Sequence, residues 1–279
     1  MRKTNAANNP LTSTSLEFNP RILYATGSAH FFNDLVTTGM IPALVVLYKE
    51  AFQLNYTEAT AIVLVSYLTS SVMQPLFGIW TDRKPKSWFI SLGLFLSVSG
   101  LALTAIAPTY SWLLFFIALS GIGSGMFHPE ASRAAHLAAG NRKGTAQAIF
   151  QVGGNAGQAF GPLMLPLFII STGIDGLLWF LPVALFTLLL TVPLLRWLKV
   201  KVGEKGAKKV FAGKNYPGYA TILLIIIVLR SWCQVGVVIF LPFYYNHLSL
   251  ETSELLNFIF VGSGALGTFI GGFFLIALE

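Results

Sequence analysis

Residues 87–107 read SWFISLGLFLSVSGLALTAIA, a run of 21 residues without a charged side chain. About 20 apolar residues in a helix are enough to cross the hydrocarbon core of a bilayer. Asp82, Arg83 and Lys86 precede the run and Pro108 follows it, so that charged and helix-breaking residues bound it. The stretch therefore predicts a transmembrane helix.

Seven further segments share this length and apolar character. Together they predict eight helices, at residues 22–48, 57–80, 87–107, 110–137, 145–170, 176–195, 219–245 and 255–278. The segments lack the strict alternation of polar and apolar residues that is typical of membrane β-barrel strands. The predicted fold class is an all-α polytopic membrane protein, with six helices, a connector and two more helices.

Composition excludes most other classes of protein. Hydrophobic residues make up 54% of the 279 positions and charged residues 10%, whereas a soluble domain carries about 25% charged residues. The single cysteine, Cys233, excludes an intrachain disulfide and a cysteine-based zinc site. We predict a lipid bilayer as the surroundings, with no cofactor, no metal and no catalytic residue. The composition leaves the oligomeric state open.

The distribution of basic residues predicts the orientation. With the amino terminus inside, all of the 18 Lys and Arg except Lys49, Arg133 and Arg230 lie on the cytoplasmic side. Such a bias sets the topology of membrane proteins. We predict a multi-pass protein of the plasma (inner) membrane with both termini cytoplasmic. The net charge of +7 is then a topology signal, and no nucleic-acid partner is expected.

Four regions follow from this pattern. Residues 1–20 are polar and lack the features of a secretory signal, which predicts a disordered cytoplasmic lead. Residues 21–196 form the predicted N-terminal six-helix transmembrane domain. Residues 197–218 form a basic cytoplasmic linker, and residues 219–279 a partial C-terminal domain with two transmembrane helices.

The first predicted helix carries three polar residues at membrane depth, His30, Asn33 and Asp34. Ionisable groups are costly there and usually face a bundle interior or a wet cavity. His30 and Asp34 are four positions apart and share one helical face. Because histidine titrates near neutral pH, this pair predicts a proton-handling site.

The fourth and seventh predicted helices also carry buried polar groups. His128, Glu130 and Arg133 lie on the fourth, and Arg230 and Gln234 on the seventh. Glu130 and Arg133, three apart, are open to two interpretations: an ion pair that holds two helices in register, or part of a substrate cavity. Arg230 is expected to snorkel, to meet an acid such as Asp34, or to bind an anionic substrate.

The fifth predicted helix combines two patterns. Amides recur along one stripe, at Gln147, Gln151, Asn155 and Gln158, and we predict that Gln151 and Asn155 line a cavity. On a neighbouring face, small residues recur every four positions, which permits close helix packing. This packing face comprises Gly153, Gly157 and Gly161, with Pro162 directly after it.

Residues 78–86 read GIWTDRKPK. This stretch resembles the G-x-x-x-D-R-x-G-R-K signature of the major facilitator superfamily, with Pro85 in place of a glycine. The resemblance implies a cytoplasmic gate motif formed by Gly78, Asp82, Arg83 and Lys86. Residues 157–162 are similar to the core of the same family's antiporter motif.

Three other stretches resemble the fosmidomycin resistance protein group of that superfamily. They are HFFND at residues 30–34, GSGMFHPE at 123–130 and GGNAG at 153–157. The resemblance implies a six-helix bundle plus two helices of an incomplete second bundle. It also implies a membrane transporter that exports a drug or small polar solute in exchange for protons, an efflux antiporter linked to antibiotic resistance.

Two alternatives stay open. Members of this superfamily have twelve helices, so eight predicted helices are also consistent with a non-transporting truncated remnant. A membrane-embedded enzyme would use His128, Glu130 and His136 as a hydrolytic or metal site. The two histidines are eight positions apart, unlike the pair in H-E-x-x-H, and we expect no enzyme.

Overall fold

A computed structural model describes residues 18–83, 85–169, 172–204, 216–247 and 253–276. These residues are almost entirely helical, and they contain no strand. Most of the predicted lead, at residues 1–17, lies outside the described residues, as do residues 205–215 of the predicted linker and the last three residues of the chain.

The helices follow the predicted segments in order. They are α1 (Pro20–Asp34), α2 (Ile41–Ala43), α3 (Val45–Ala51), α4 (Tyr56–Arg83), α5 (Trp88–Leu103), α6 (Tyr110–Ala138), α7 (Lys143–Ile169), α8 (Phe180–Glu204), α9 (Pro217–His247) and α10 (Ser253–Ile276). A π-helical stretch, Leu35–Met40, joins α1 to α2, so that α1 to α3 form the first predicted span. Short 3₁₀ turns follow α5 and precede α8.

Most of these helices meet the requirements for a membrane span. Among the described residues, five are long and apolar enough, and the first span makes a sixth, with a bend of 50° before Val45–Ala51. The helix α7 is not among these spans, and it contains several amides and two prolines, Pro162 and Pro166. The helix α10 contributes a shorter apolar stretch, Phe258–Gly271. The all-α membrane fold class is confirmed.

Two helices end beyond the residues that the sequence predicts for them. The helix α4 continues through Arg83, so Asp82 and Arg83 lie in its last turn rather than in a loop. The helix α8 continues to Glu204, so the first part of the predicted linker is helical. In both cases charged residues extend a helix beyond its apolar segment, because a helix does not need an apolar sequence once it leaves the hydrocarbon.

Polar caps start the helices at the two ends of the bundle. The Asn19 side chain accepts a hydrogen bond from the Ile22 amide, and Pro20 occupies the first turn of α1. Before α4, the Asn55 side chain accepts from the Glu58 amide while the Glu58 carboxylate accepts from the Asn55 amide, both at 2.9 Å. Such reciprocal bonds satisfy amides that lack a partner within the helix.

The helices α1 and α7 pack with their backbones in contact. A Cβ on Gly153 would overlap the carbonyl oxygen of Gly27. One on Gly161 would lie 2.6 Å from the Cα of Gly39, at the level of the π-helical stretch. Small residues allow this approach, so the glycine face of α7 is directed at the first span.

The core lies within the first eight helices. The helix α6 packs between α4 and α5, and α5 also packs on α8. Large side chains such as Tyr48, Phe89 and Phe127 are fully buried there. In contrast, α10 packs mainly on α7, and α9 has few contacts beyond α10. The apolar side chains of α9 from Ile222 to Leu229 are exposed.

A candidate solute and cation site

Three side chains from two helices meet inside the bundle. Asp34, the last residue of α1, places one carboxylate oxygen 3.2 Å from His30 Nε2 and the other 3.6 Å from His128 Nε2 on α6. We call His30, Asp34 and His128 the Asp34 cluster. The π-helical stretch begins directly after Asp34, and such stretches are frequent at functional sites.

Backbone carbonyls fix the orientation of both imidazoles. His30 Nδ1 lies 2.8 Å from the carbonyl oxygen of Phe150, and His128 Nδ1 lies 2.9 Å from that of Ser124. A carbonyl oxygen only accepts hydrogen bonds, so each Nδ1 carries the proton and donates it. In the neutral rings, each Nε2 therefore presents a lone pair to the Asp34 carboxylate.

Neutral polar groups surround the cluster. Asn33 Nδ2 donates to Asp34 Oδ1 at 2.8 Å and to Ser124 Oγ at 3.1 Å. Ser70 Oγ on α4 donates to Ser124 Oγ at 3.3 Å, and Gln74 donates to Ser70 at the same distance. This network connects α1, α6 and α4 at one level of the bundle.

Gly154 on α7 provides the space that the cluster occupies. A Cβ at this position would lie 2.5 Å from His30 Cε1 and 2.8 Å from Asp34 Oδ2. The His30 ring cannot move away easily, because it stacks on Phe150 with ring centroids 4.1 Å apart. A side chain at residue 154 and the observed cluster therefore exclude each other.

The Asp34 cluster opens into a polar cavity of about 300 Å³. Asp34 and His128 line it, together with hydroxyl groups from the π-helical stretch, α4 and α6. Gln158 of α7 and Gln234 of α9 complete the wall. The cavity is thus shared between the first eight helices and α9.

A second cavity, of about 390 Å³, shares Gln158 and Gln234 with the first. Arg230 and Asn155 line it, and Asn155 also donates a hydrogen bond to Thr268 of α10 at 3.0 Å. Within the described residues, Arg230 forms no ion pair with Asp34, whose partners are the two histidines. Gln151 is half-buried on α7 and lines neither cavity.

Glu130 and Arg133 belong to a separate cluster near the end of α4. Arg133 donates to Glu130 Oε1 at 3.0 Å, to the Thr81 carbonyl oxygen at 3.0 Å and to Asp82 Oδ1 at 2.8 Å. We call Asp82, Glu130 and Arg133 the Arg133 cluster. Its contacts join α4 to α6, and none of its members lines either cavity.

The other gate-motif residues lie around this cluster. A Cβ on Gly78 would be 3.9 Å from Pro129, an ordinary contact. Arg83 is exposed, and the Lys86 ammonium lies 5.0 Å from the ring centroid of Trp80. These positions place the motif at the α4–α5 connection and beside α6.

The residues of the enzyme alternative are dispersed. His128 belongs to the Asp34 cluster and Glu130 to the Arg133 cluster, whereas His136 is exposed and accepts from Lys143 through its carbonyl oxygen at 3.0 Å. The described residues do not bring these three together at one site.

The sequence patterns did not predict the groups that contact and position the Asp34 cluster. The Phe150 carbonyl, Ser124 and Gly154 all contact it, yet none is ionisable. Ser124 lies four positions before His128, so helical spacing could have found it. The Phe150 carbonyl is 120 positions from His30, and only the folded chain brings them together.

A helical membrane bundle with a polar cavity between its helices is the architecture of a solute transporter. A family model described as the Major Facilitator Superfamily matches residues 26–278. Fosmidomycin resistance protein of Escherichia coli (strain K12) is 35% identical over 260 residues, which cover 90% of this chain and 64% of that protein. The chain belongs to the major facilitator superfamily, a family of transporters.

A second relative is similar to the same extent. Uncharacterized MFS-type transporter YfnC of Bacillus subtilis (strain 168) is 34% identical over 263 residues, covering 90% of this chain and 64% of that protein. The chain thus spans just under two thirds of the length of both relatives.

Proposed function

We propose that the protein built on this chain exports a drug or small polar solute across the plasma membrane in exchange for protons. The observation that carries the proposal is the position of Asp34. Its carboxylate is in contact with two imidazoles, and it lines a cavity that also includes a residue of α9. The Asp34 carboxylate can therefore bind either a proton or a solute.

The cavity is suited to alternating access. In such transporters a midplane site lies between two bundles that rock against each other. Here α1, α4, α6 and α7 form one wall, and Gln234 of α9 contributes to the other. A movement of α9 relative to α7 would change both cavities, since Gln158 and Gln234 line each of them.

The lining groups indicate how the solute is held. Most residues that line the cavity of Asp34 carry hydroxyl or amide groups. Such groups can bind polar groups of a solute whether or not the solute is charged. Arg230 in the second cavity adds one permanent positive charge, which an anionic group of the solute would meet. Fosmidomycin is the first solute to test, because a relative is named for resistance to it.

Proton exchange is assigned to Asp34 and His30. A carboxylate and an imidazole in contact can pass a proton between them, and buried ionisable residues of this kind form proton relays in transporters. The exported solute and the incoming proton would occupy the same cavity in turn. Coupling follows because the Asp34 carboxylate changes charge between the two steps.

The Arg133 cluster is proposed to act as the cytoplasmic gate. Hydrogen bonds from Arg133 connect the end of α4 to α6. The basic residues near the cluster predict that it lies on the cytoplasmic side. In this orientation the first residues of α1 lie on the same side, because the Asn19 amide donates to the Ala138 carbonyl oxygen at the end of α6 at 2.9 Å.

The test is export from everted membrane vesicles. The complete protein is expressed from its gene in a bacterial host that lacks its own fosmidomycin exporter, and an interior pH dye reports proton release when fosmidomycin is added. We expect proton movement with the native protein and none with Asp34→Asn. The matched control is Asp175→Asn, which changes an exposed acid outside the site and should behave as the native protein.

Immunoblotting of the vesicles measures how much of each variant reaches the membrane. Export by Asp34→Asn that keeps its full dependence on the pH gradient would assign coupling to another group. Absence of fosmidomycin-dependent proton movement with the native protein would reject this drug as the exported solute.

A further inference from the structure

We propose that the Asp34 cluster is a binding site for a divalent first-row transition metal ion, with Zn²⁺ as the reference ion. The ligands are His30 Nε2, a carboxylate oxygen of Asp34 and His128 Nε2. These three atoms lie within 4.8 Å of one another. The site goes beyond the proposed export activity, since metal binding does not depend on whether a solute is transported.

The first argument is the direction of the lone pairs. Both Nδ1 atoms donate to backbone carbonyl oxygens, so both neutral imidazoles direct an Nε2 lone pair at the Asp34 carboxylate. Lone pairs that face each other repel unless a positively charged species lies between them. The fold therefore builds a cation site at this point, and a metal ion satisfies all three ligands at once.

The spacing of the ligand atoms is close to that of a tetrahedral zinc site. Ligand bonds of about 2.0–2.1 Å at tetrahedral angles separate the ligand atoms by about 3.3 Å. In the cluster, His30 Nε2 lies 3.2 Å from Asp34 Oδ2, and His128 Nε2 lies 3.6 Å from the other oxygen, Asp34 Oδ1. Binding of an ion would draw the three ligand atoms, which lie within 4.8 Å of one another, closer together.

The surroundings of the ligands match those of metal sites. A ligating histidine commonly donates its other ring N–H to a backbone carbonyl, which fixes the tautomer and the ring. The Phe150 and Ser124 carbonyls do this for His30 and His128. Asn33 donates to Asp34 Oδ1 and orients the carboxylate in the same way.

The choice of metal follows from the ligand set. Two imidazoles and one carboxylate suit Zn²⁺, Co²⁺ or Ni²⁺, whereas Mg²⁺ and Ca²⁺ require more oxygen ligands. Asp34 and His128 line the cavity of about 300 Å³, which gives the ion a route of entry and a free fourth position. A bound metal ion would occupy the lone pairs that the coupling proton needs, and would inhibit export.

The experiment measures metal binding to the purified full chain, which carries an affinity tag without histidine. After removal of metal with a chelator, Zn²⁺ is titrated in competition with a chromophoric chelator. Co²⁺ is then added separately, and its visible absorption spectrum reports the coordination geometry. We expect one equivalent of Zn²⁺ and a spectrum typical of tetrahedral nitrogen and oxygen ligation.

His128→Ala is the principal variant, because its ring lies at the cavity wall and its removal does not disturb the core. We expect Zn²⁺ binding to weaken by about 100-fold or more. Changes to groups that only hydrogen-bond to a metal ligand already weaken metal binding by about 10- to 100-fold. Asp34→Asn should weaken binding similarly. His136→Ala is the matched control, a histidine on the same helix outside the cluster, and it should bind Zn²⁺ as the native chain does.

Circular dichroism and size-exclusion chromatography establish that each variant is folded. Unchanged Zn²⁺ affinity in folded His128→Ala and Asp34→Asn would overturn the proposal, as would equal loss in His136→Ala. Less than one equivalent bound by the native chain would overturn it as well. Zn²⁺ binding by a chain that exports no solute would reject the proposed function and leave this site intact.

Discussion

The Asp34 cluster and the Arg133 cluster contain similar groups in opposite arrangements. In the Arg133 cluster, one guanidinium meets the carboxylates of Asp82 and Glu130. In the Asp34 cluster, one carboxylate meets the imidazoles of His30 and His128. The first contains a permanent cation, and the second contains no permanent cation at all.

This difference separates a structural role from a chemical one. An arginine stays charged at every physiological pH, so its contacts link α4 to α6 independently of pH. Imidazoles change charge near neutral pH and also bind metals. The Arg133 cluster is therefore suited to hold the helices, and the Asp34 cluster to bind and release a cation. Measurements of stability and of accessibility can test this distinction.

The largest effect on stability is expected for Arg133→Met. It leaves the buried Glu130 carboxylate without its cation, and breaking a buried ion pair in this way costs about 3–5 kcal/mol in the free energy of unfolding. Thermal unfolding of the purified chain in detergent measures the change. Arg83→Met, which removes an exposed arginine, should stay within about 0.5 kcal/mol of the native chain.

A second variant identifies the cause of the Arg133→Met effect. Adding Glu130→Gln removes the unpaired charge, so the double variant should regain part of the lost stability. A double variant as unstable as Arg133→Met alone would show that packing, and not the buried charge, determines the loss.

The next largest effect is expected for Gly154→Ala. Its Cβ would lie 2.5–2.8 Å from His30 and Asp34, and overpacking of this kind costs about 1–3 kcal/mol. It should also separate His30 from Asp34 and so weaken Zn²⁺ binding, which Arg133→Met should not do. Unfolding and Zn²⁺ titration of the same sample measure both effects.

Gly236→Ala on α9 is the matched control, because a Cβ there meets nothing within 4 Å. It should cause no loss of stability or of metal binding. If Gly154→Ala were equally harmless, α1 and α7 would be less closely packed than the structure shows.

A smaller effect is expected for Asn33→Ala. The buried Asn33 amide donates to the Asp34 carboxylate and to Ser124, and its neutral hydrogen bond with Ser124 contributes about 0.5–1.5 kcal/mol. A double-mutant cycle with Ser124→Ala isolates the contact between the two side chains. A coupling energy near zero would mean that Asn33 does not connect the Asp34 cluster to α6.

The smallest perturbation is a labelling experiment that locates the Arg133 cluster relative to the membrane. Single cysteines replace Arg83 and Lys49 in a Cys233→Ala background, and intact cells are treated with an impermeant thiol reagent. We expect labelling at residue 49 and none at residue 83, because the basic residues predict a cytoplasmic position for Arg83. The reverse pattern would move the proposed gate to the outside.

Local sequence patterns were enough to predict the fold class and to identify the polar residues of the membrane helices. Apolar runs of about 20 residues form helices in a bilayer, because every backbone group must be satisfied within the segment. All eight predicted segments are helical in the described residues. The pairing of His30 with Asp34 and of Glu130 with Arg133 is likewise local, since helical spacing brings residues three or four apart together.

The packing of the helices against one another sets how these local pairs are distributed between two clusters. Arg133 could face the cavity or the end of α4, and its contact with Asp82 is set by the packing of α4 on α6. The meeting of His128 with Asp34, and the Phe150 carbonyl behind His30, join residues about a hundred positions apart. Such contacts depend on how the helices pack beside one another, and the periodicity of a single helix does not predict that packing.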